Sequence, residues 1–153
     1  MRTRLLDLAL LTVVIGWAQL DVWAPQVTTP NHMVGDARVL SASYLIAGLT
    51  LVVRRRWPLA ATTVVLAGIA VPTVLYGSSE GLGGFLLICV ALYSLGAYAD
   101  PRQALLGLFF TGVLFVLFLA RNSTIHDAGD VLRGAFYLLP LLLPFAFGLV
   151  VRN

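Results

Sequence analysis

The sequence contains few charges, no lysine and a single cysteine. Charged residues make up 11% of the 153 residues, whereas soluble domains contain about 25%. Hydrophobic residues make up 59%, which is more than a soluble domain can hide when it buries about 70% of its surface. The composition therefore predicts an integral membrane protein and excludes a soluble enzyme, a nucleic-acid-binding protein and a disordered tail.

The few polar residue types limit the chemistry further. All ten basic residues are Arg, and they lie at the ends of apolar runs rather than on one face, so no nucleic-acid partner is expected. The lone Cys89 lies within an apolar run and excludes both a disulfide framework and a thiolate metal cluster. No phosphate-binding loop, metalloprotease helix or nucleophile elbow is present, so we predict no cofactor and no catalytic activity for this chain.

Six apolar runs indicate the fold. A helix needs about 17–25 residues to cross a bilayer, and the runs do not alternate in polarity as the strands of a membrane barrel would. The sequence therefore predicts a single all-α domain over residues 1–153, a bundle of six transmembrane helices. The predicted helices are 5–23, 37–53, 59–76, 82–98, 104–120 and 132–151. Gly83 and Gly84 weaken the prediction for the start of the fourth, because glycine is a poor helix former.

The arginines predict the orientation, because cytoplasmic loops are enriched in basic residues. With both termini in the cytoplasm, seven of the ten arginines lie on that side: Arg2, Arg4, Arg54, Arg55, Arg56, Arg102 and Arg152. The outer loops then carry Asp21, Asp36, Glu80, Asp127 and Asp130. The predicted location is the plasma membrane of a bacterium, with the first run kept as an anchor rather than removed as a signal peptide.

Three groups of residues are candidate sites. The first is His32 with Asp36 and His126 with Asp130, two pairs at i,i+4 spacing in predicted outer loops. Such pairs suit a divalent metal or a pH sensor, and the alternative is an ordinary solvated loop. The second is Arg54-Arg55-Arg56, which either fixes the orientation alone or also attracts anionic lipid head groups.

The third candidate lies in the last predicted helix. Pro140 and Pro144 are one turn apart and are followed by Gly148. Each proline removes an intrahelical hydrogen bond, so this helix is predicted to be bent, and it acts either as a hinge for signalling or as a simple kink. Small residues, such as Ser43 with Ala47 and Ser94 with Ala97, are predicted to allow close helix packing.

Several features together resemble the N-terminal membrane domain of actinobacterial sensor histidine kinases. They are the Arg-led start, Arg54-Arg55-Arg56-Trp57-Pro58-Leu59-Ala60, the turn from Tyr98 to Arg102, and the final Pro-containing span that ends in Phe147-Gly148-Leu149-Val150-Val151-Arg152. The resemblance implies a sensory input domain, a homodimer, and a kinase core after the last span. The resemblance assigns no kinase residue to this chain. Neither His32 nor His126 can be the phosphoacceptor, because both are predicted on the outer side of the membrane, away from ATP.

The expected function is therefore a non-catalytic input module of a two-component system, surrounded by membrane lipids and acting on a cytoplasmic kinase domain or partner kinase. The short loops leave little room for a soluble ligand, so we expect a stimulus from the envelope or the membrane. This expectation leaves three alternatives for the chain: a sensor part of a histidine kinase, a truncated product, or a stand-alone membrane protein of related design. The alternative function is a small transporter or permease-like subunit. Against ion coupling, no predicted span has an ionisable residue at its centre.

Overall fold

The computed structural model describes residues 2–24, 34–79, 81–122, 129 and 138–152. In this part of the chain, the secondary structure consists of six α-helices and one 3-10 helix, without β-strands. The α-helices are α1 (Arg2–Trp23), α2 (Ala37–Thr50), α3 (Pro58–Tyr76), α4 (Leu82–Tyr98), α5 (Pro101–Arg121) and α6 (Leu138–Arg152). The prediction of an all-helical fold is confirmed for the described residues.

The helix ends follow from local sequence. Pro58 and Pro101 lie in the first turns of α3 and α5, where a missing N–H costs nothing. The Asp100 side chain accepts a hydrogen bond from the Gln103 N–H at 2.8 Å, and Gly77 ends α3 with a φ of 109°. The second predicted span continues past α2 as the 3-10 helix Leu51–Val53. Residues 132–137 of the sixth predicted helix lie outside the described residues.

Contacts between the helix ends define an up-and-down bundle. Asp7, near the start of α1, pairs with Arg54, which follows the segment after α2, so α1 and α2 run in opposite directions. The Asp21 carboxylate, near the end of α1, accepts a hydrogen bond from Gly83 at the start of α4, so α1 and α4 also run in opposite directions. Arg152 at the end of α6 donates to the carbonyl of Ala99, just after α4, so α4 and α6 are parallel. The starts of α1, α3 and α5 and the ends of α2, α4 and α6 thus share one end of the bundle. We call it the terminal end, and its opposite the far end.

Small residues bring the helices together. Gly68 of α3 lies against Ser43 and Ala47 of α2, where an added Cβ would approach the Ser43 carbonyl oxygen to 3.0 Å. The predicted role of Ser43 and Ala47 in close packing is therefore confirmed. An added Cβ on Gly83 would overlap the backbone of Ala18, so α1 and α4 touch almost directly. A core cluster of α1, α2 and α4 side chains surrounds this contact, including Leu11, Val14, Leu40, Tyr44 and Leu87.

Much of the apolar side-chain surface faces outward. Leu105, Phe109 and Val116 of α5 are 70%, 62% and 65% exposed, and Leu143 and Val150 of α6 are 68% and 71% exposed. By length and composition, α3 and α5 are the two helices of the described chain that can cross a membrane. Ala37–Val53, α4 and α6 are apolar but shorter than 18 residues.

Candidate functional site

A charged cluster lies at the terminal end, between α1 and the segment that follows α2. We call Asp7, Arg54 and Arg55 the arginine cluster. Arg54 Nη2 donates to Asp7 Oδ1 at 3.1 Å, and Arg55 Nη2 pairs with Asp7 Oδ2. The Arg55 guanidinium also lies 5.7 Å from the centre of the Tyr98 ring, which suits a cation–π contact. Two positive charges therefore share one carboxylate.

The three consecutive arginines have different surroundings. Arg54 is 3% exposed and its Nη1 has no hydrogen-bond partner among the described residues. Arg55 and Arg56 are exposed, and Arg56 lies over the Trp57 ring. Arg54 directly follows the 3-10 helix Leu51–Val53 and is buried, and Asp7 neutralises part of its charge there. The attraction of the triplet for anionic lipid head groups stays a prediction.

A groove of about 560 Å³ opens beside this cluster, between α1, α4 and α6. The lining residues are apolar or aromatic except for Arg54 and Cys89. They include Leu10, Val14, Phe85, Val90, Tyr93, Pro140, Leu143, Pro144 and Phe147. The groove is open along one side, so an occupant reaches it from the surface of the bundle.

One wall of the groove belongs to α6, the helix with the predicted hinge. Pro144 lies inside α6, and Pro140 lies in its first described turn; both face the groove. Gly148 is buried, and a Cβ there would overlap the Tyr93 carbonyl oxygen, while one on Gly96 would overlap that of Phe145. Gly148 thus permits close backbone contact between α6 and α4.

A second polar site lies at the far end. Asp21 is in the last turn of α1 and is fully buried, so its assignment to an outer loop is wrong. Its Oδ2 accepts a hydrogen bond from the Gly83 N–H at 2.6 Å, and its Oδ1 has no partner among the described residues. The Tyr44 hydroxyl lies close by, beside Gly84. Helix packing buries this carboxylate because α1 continues to Trp23 and crosses α4 at Gly83.

The predicted outer-loop pairs are only partly described. Asp36 is the N-cap of α2, and its side chain accepts a hydrogen bond from the Arg38 N–H at 2.7 Å. His32, His126 and Asp130 lie outside the described residues. Within the described residues, no three His, Cys, Asp or Glu side chains form a group able to hold a metal ion.

The comparison with protein families covers almost the whole chain. Residues 2–153 match the family described as "Domain of unknown function (DUF7134)". The chain belongs to this family. Comparisons with curated proteins and with solved structures give no significant match. The DUF7134 match extends over all six described helices.

Sequence reasoning overlooked Asp7 and Asp21, although one signal was present. Both are carboxylates inside the first apolar run, and an ionisable residue within a span is a site candidate by default because burying it is costly. Because both lie near the ends of this run, they were interpreted as polar residues at the ends of a membrane span. Their partners, Arg54 and Gly83, are 47 and 62 residues away, so no local pattern links them.

Proposed function

We propose that this DUF7134 chain is the non-catalytic membrane input domain of a two-component system in a bacterial plasma membrane. In this proposal six helices span the bilayer, both termini are cytoplasmic, and α6 passes a change in the envelope or membrane to a cytoplasmic kinase domain or partner kinase. The likeness to sensor histidine kinase membrane domains implies that the active unit is a homodimer.

The exposed surface supports a position in the membrane. Large apolar side chains point outward along α1, α2, α3, α5 and α6, and soluble monomers rarely expose continuous patches of this kind. Trp23, Trp57, Tyr76 and Tyr98 are exposed near the helix ends, where aromatic rings favour the interface of a bilayer. Five of the Arg residues assigned to the cytoplasm, Arg54, Arg55, Arg56, Arg102 and Arg152, belong to the terminal end.

The observation that carries the relay proposal is the way α6 is attached. Among the described helices α6 packs chiefly against α4, and the two backbones touch where Gly96 faces Gly148. Beyond this contact the groove separates α6 from α1. α6 also contacts α4 through the Tyr93 and Phe147 rings and through the Arg152 hydrogen bond to Ala99. A helix that packs on one neighbour and borders an open groove on another side can shift toward the groove, whereas a helix packed on all sides cannot.

A tilt of α6 would change the position of the chain end that follows Arg152. The Arg152 guanidinium donates to the Ala99 carbonyl oxygen at 2.7 Å, which links this end to α4 in the arrangement seen here. To act as a signal, a stimulus must favour one arrangement over the other by a few kcal/mol. A change of lipid packing beside the groove supplies such a preference, because it acts on one side of α6.

The test uses the whole chain fused, after Asn153, to the cytoplasmic core of a histidine kinase. Gly148→Leu forces the α4 and α6 backbones apart, so we expect basal or stimulated autophosphorylation to change at least about threefold, the size of a shift near 0.6 kcal/mol. Val150→Leu is the matched control, because Val150 is 71% exposed and should leave the activity unchanged. Equal autophosphorylation for both variants and the unchanged fusion, at correct membrane levels, would count against the relay.

The alternative is a small transporter or permease-like subunit, and one observation favours it. The fully buried Asp21 has a carboxylate oxygen without a partner among the described residues, and buried carboxylates mark ion pathways in many transporters. Flux of a cation or proton into vesicles that contain the purified chain, abolished by Asp21→Asn, would support this function over the relay. Absence of flux would leave Asp21 as a structural residue.

A further inference from the structure

The polar end of the groove holds a buried cation whose hydrogen bonds are incomplete. Arg54 is 3% exposed and lines the groove. Its Nη2 is paired with Asp7 at 3.1 Å, while its Nη1 has no partner among the described residues. A guanidinium has five donors in a rigid fork, and a buried charge without full pairing is costly. The site therefore favours an additional acceptor.

The charge of the arginine cluster shows which kind of acceptor fits. Arg54 and Arg55 contribute two positive charges and Asp7 one negative charge. Asp7 accepts from both arginines, so the cluster retains a net positive charge beside the groove. An anion that reaches Arg54 Nη1 would complete its hydrogen bonds and balance this charge. Phosphate oxygens suit the guanidinium fork, because they accept two parallel N–H bonds.

The rest of the groove has a different chemistry. It extends along α4 from Phe85 to Tyr93, eight residues or about 12 Å at 1.5 Å per residue. Leu10 and Val14 form one wall and Pro140 and Pro144 another. A free phosphate ion would use none of this surface. An open apolar groove that has a cation in its lining matches a molecule that joins an alkyl chain to an anionic head.

We infer that the groove binds an anionic phospholipid, with an acyl chain between α1 and α6 and its phosphate at Arg54 and Arg55. The binding rests on the membrane location in the proposed function and not on signalling. If α6 is the relay, the lipid also becomes part of the stimulus, because its chain lies against Pro140 and Pro144 and sets the separation of α6 from α1.

The only cysteine of the sequence provides a direct probe of occupancy. Cys89 lines the groove, so a bound acyl chain should shield its thiol from N-ethylmaleimide. We measure the labelling rate of the purified full-length chain in detergent micelles that contain equal mole fractions of either phosphatidylglycerol or phosphatidylcholine. We expect phosphatidylglycerol to slow labelling about fivefold more than phosphatidylcholine, in line with one charge-assisted contact.

Two arginine variants test the role of the head group. Arg54→Gln should remove the difference between the two lipids, because the buried donor of the groove is lost. Arg56→Gln is the matched control: it removes the same charge from the same triplet, but Arg56 is exposed and lies over Trp57. The difference between the lipids should persist in this variant. Its loss in Arg56→Gln as well would reduce the effect to general surface charge and overturn the inference.

A second pair of variants keeps the test valid if Arg54→Gln fails to fold. Leu143 lines the groove and is 68% exposed, so Leu143→Trp should fill the groove without disturbing the core. Leu142→Trp places the same bulk on the neighbouring position. Native mass spectrometry should show phosphatidylglycerol retained by the unchanged chain and by Leu142→Trp, and lost from Leu143→Trp.

Several results would overturn the inference. Equal shielding of Cys89 by both lipids would mean that the groove holds alkyl chains without recognising the head group. Shielding by neither lipid, together with no retained lipid, would mean that the groove is empty. Shielding that grows with protein concentration and needs no lipid would identify a second copy of the chain as the occupant. Because these binding assays use the chain without a fused kinase core, their results are independent of the relay experiment.

Discussion

At the start of α4, the backbone N–H groups lack acceptors within their own helix. Gly81, the N-cap residue, has no side chain to supply one. The carboxylate of Asp21 fills this role from another helix, with its Oδ2 at 2.6 Å from the Gly83 nitrogen. A negative charge at a helix N-terminus is also favoured by the helix dipole. Asp21 therefore caps α4 from the end of α1.

The cap leads to the first prediction at the scale of a residue. Asp21→Ala leaves the Gly83 N–H without its acceptor, so we expect the free energy of unfolding to fall by about 1–3 kcal/mol. Asp21→Asn keeps an acceptor oxygen and should lose less. Unfolding in mixed detergent and sodium dodecyl sulfate, followed by circular dichroism, measures both. Equal stability of Asp21→Ala and the unchanged chain would show that the hydrogen bond adds nothing.

Local partners are easier to infer from sequence than distant ones. Asp100 and Asp36 bond to backbone N–H groups three and two residues away. Asp100 lies in the predicted turn from Tyr98 to Arg102, whereas Asp36 was paired with His32 and its role as a cap was not predicted. Asp21 and Arg54 bond to groups 62 and 47 residues away. Their roles depend on which helices meet, and composition does not contain that information.

At the scale of the helices, α1 and α4 approach closely because two residues are small. Ala18 is fully buried, and Gly83 offers no Cβ to hold the backbones apart. The same contact brings Asp21, one turn further along α1, to the Gly83 N–H. The glycines that weaken the sequence prediction for the start of α4 are therefore the residues that fix its position.

This crossing provides the second prediction. Gly83→Ala would place a Cβ inside the backbone of Ala18, so α1 must move and Asp21 loses its hydrogen bond. We expect a loss of about 1–3 kcal/mol in the free energy of unfolding, as for other overpacked sites. Gly112→Ala in α5 is the matched control, because no atom lies within 4 Å of its added Cβ.

The control variant, Gly112→Ala, also has a predicted effect on the free energy of unfolding. Alanine is a better helix former than glycine by roughly 0.5–1 kcal/mol, so Gly112→Ala should leave stability unchanged or slightly higher. The two variants are compared in the same detergent denaturation. If both lost the same stability, the crossing of α1 and α4 would not be the tight contact described here.

The helix positions were largely predictable, because each apolar run is bounded by a local signal such as Pro58 or Asp100. The way the helices assemble was not. Gly148 was grouped with Pro140 and Pro144 as a possible hinge, and the structure adds that it is buried against Tyr93 and Ala97. From the sequence alone, every glycine has the same conformational freedom and the same small size. The neighbouring helix determines which of these two properties matters at a given position.

At the scale of the whole molecule, the two ends of the bundle differ in charge. The terminal end holds the arginine cluster, Arg102 and Arg152, while Arg38 and Arg121 are at the far end. Arg121 is tied to the end of α3, where its Nη2 donates to the Val74 carbonyl oxygen at 2.7 Å. The net positive terminal end faces the cytoplasm in our proposal, because basic segments are retained on that side. The arginine-cluster end of the groove would then meet the inner leaflet.

This orientation gives the last prediction. In a chain with Cys89→Ser, a cysteine at Ser78 marks the far end and one at Arg102 marks the terminal end. A membrane-impermeant maleimide added to intact cells should label Ser78→Cys, and should label Arg102→Cys only after the membrane is opened. The Ser78 side chain has no hydrogen bond in the described structure and the Arg102 side chain is exposed, so neither change should disturb the fold. Labelling of Arg102→Cys in intact cells would place the arginine cluster outside, where no cytoplasmic kinase can follow α6.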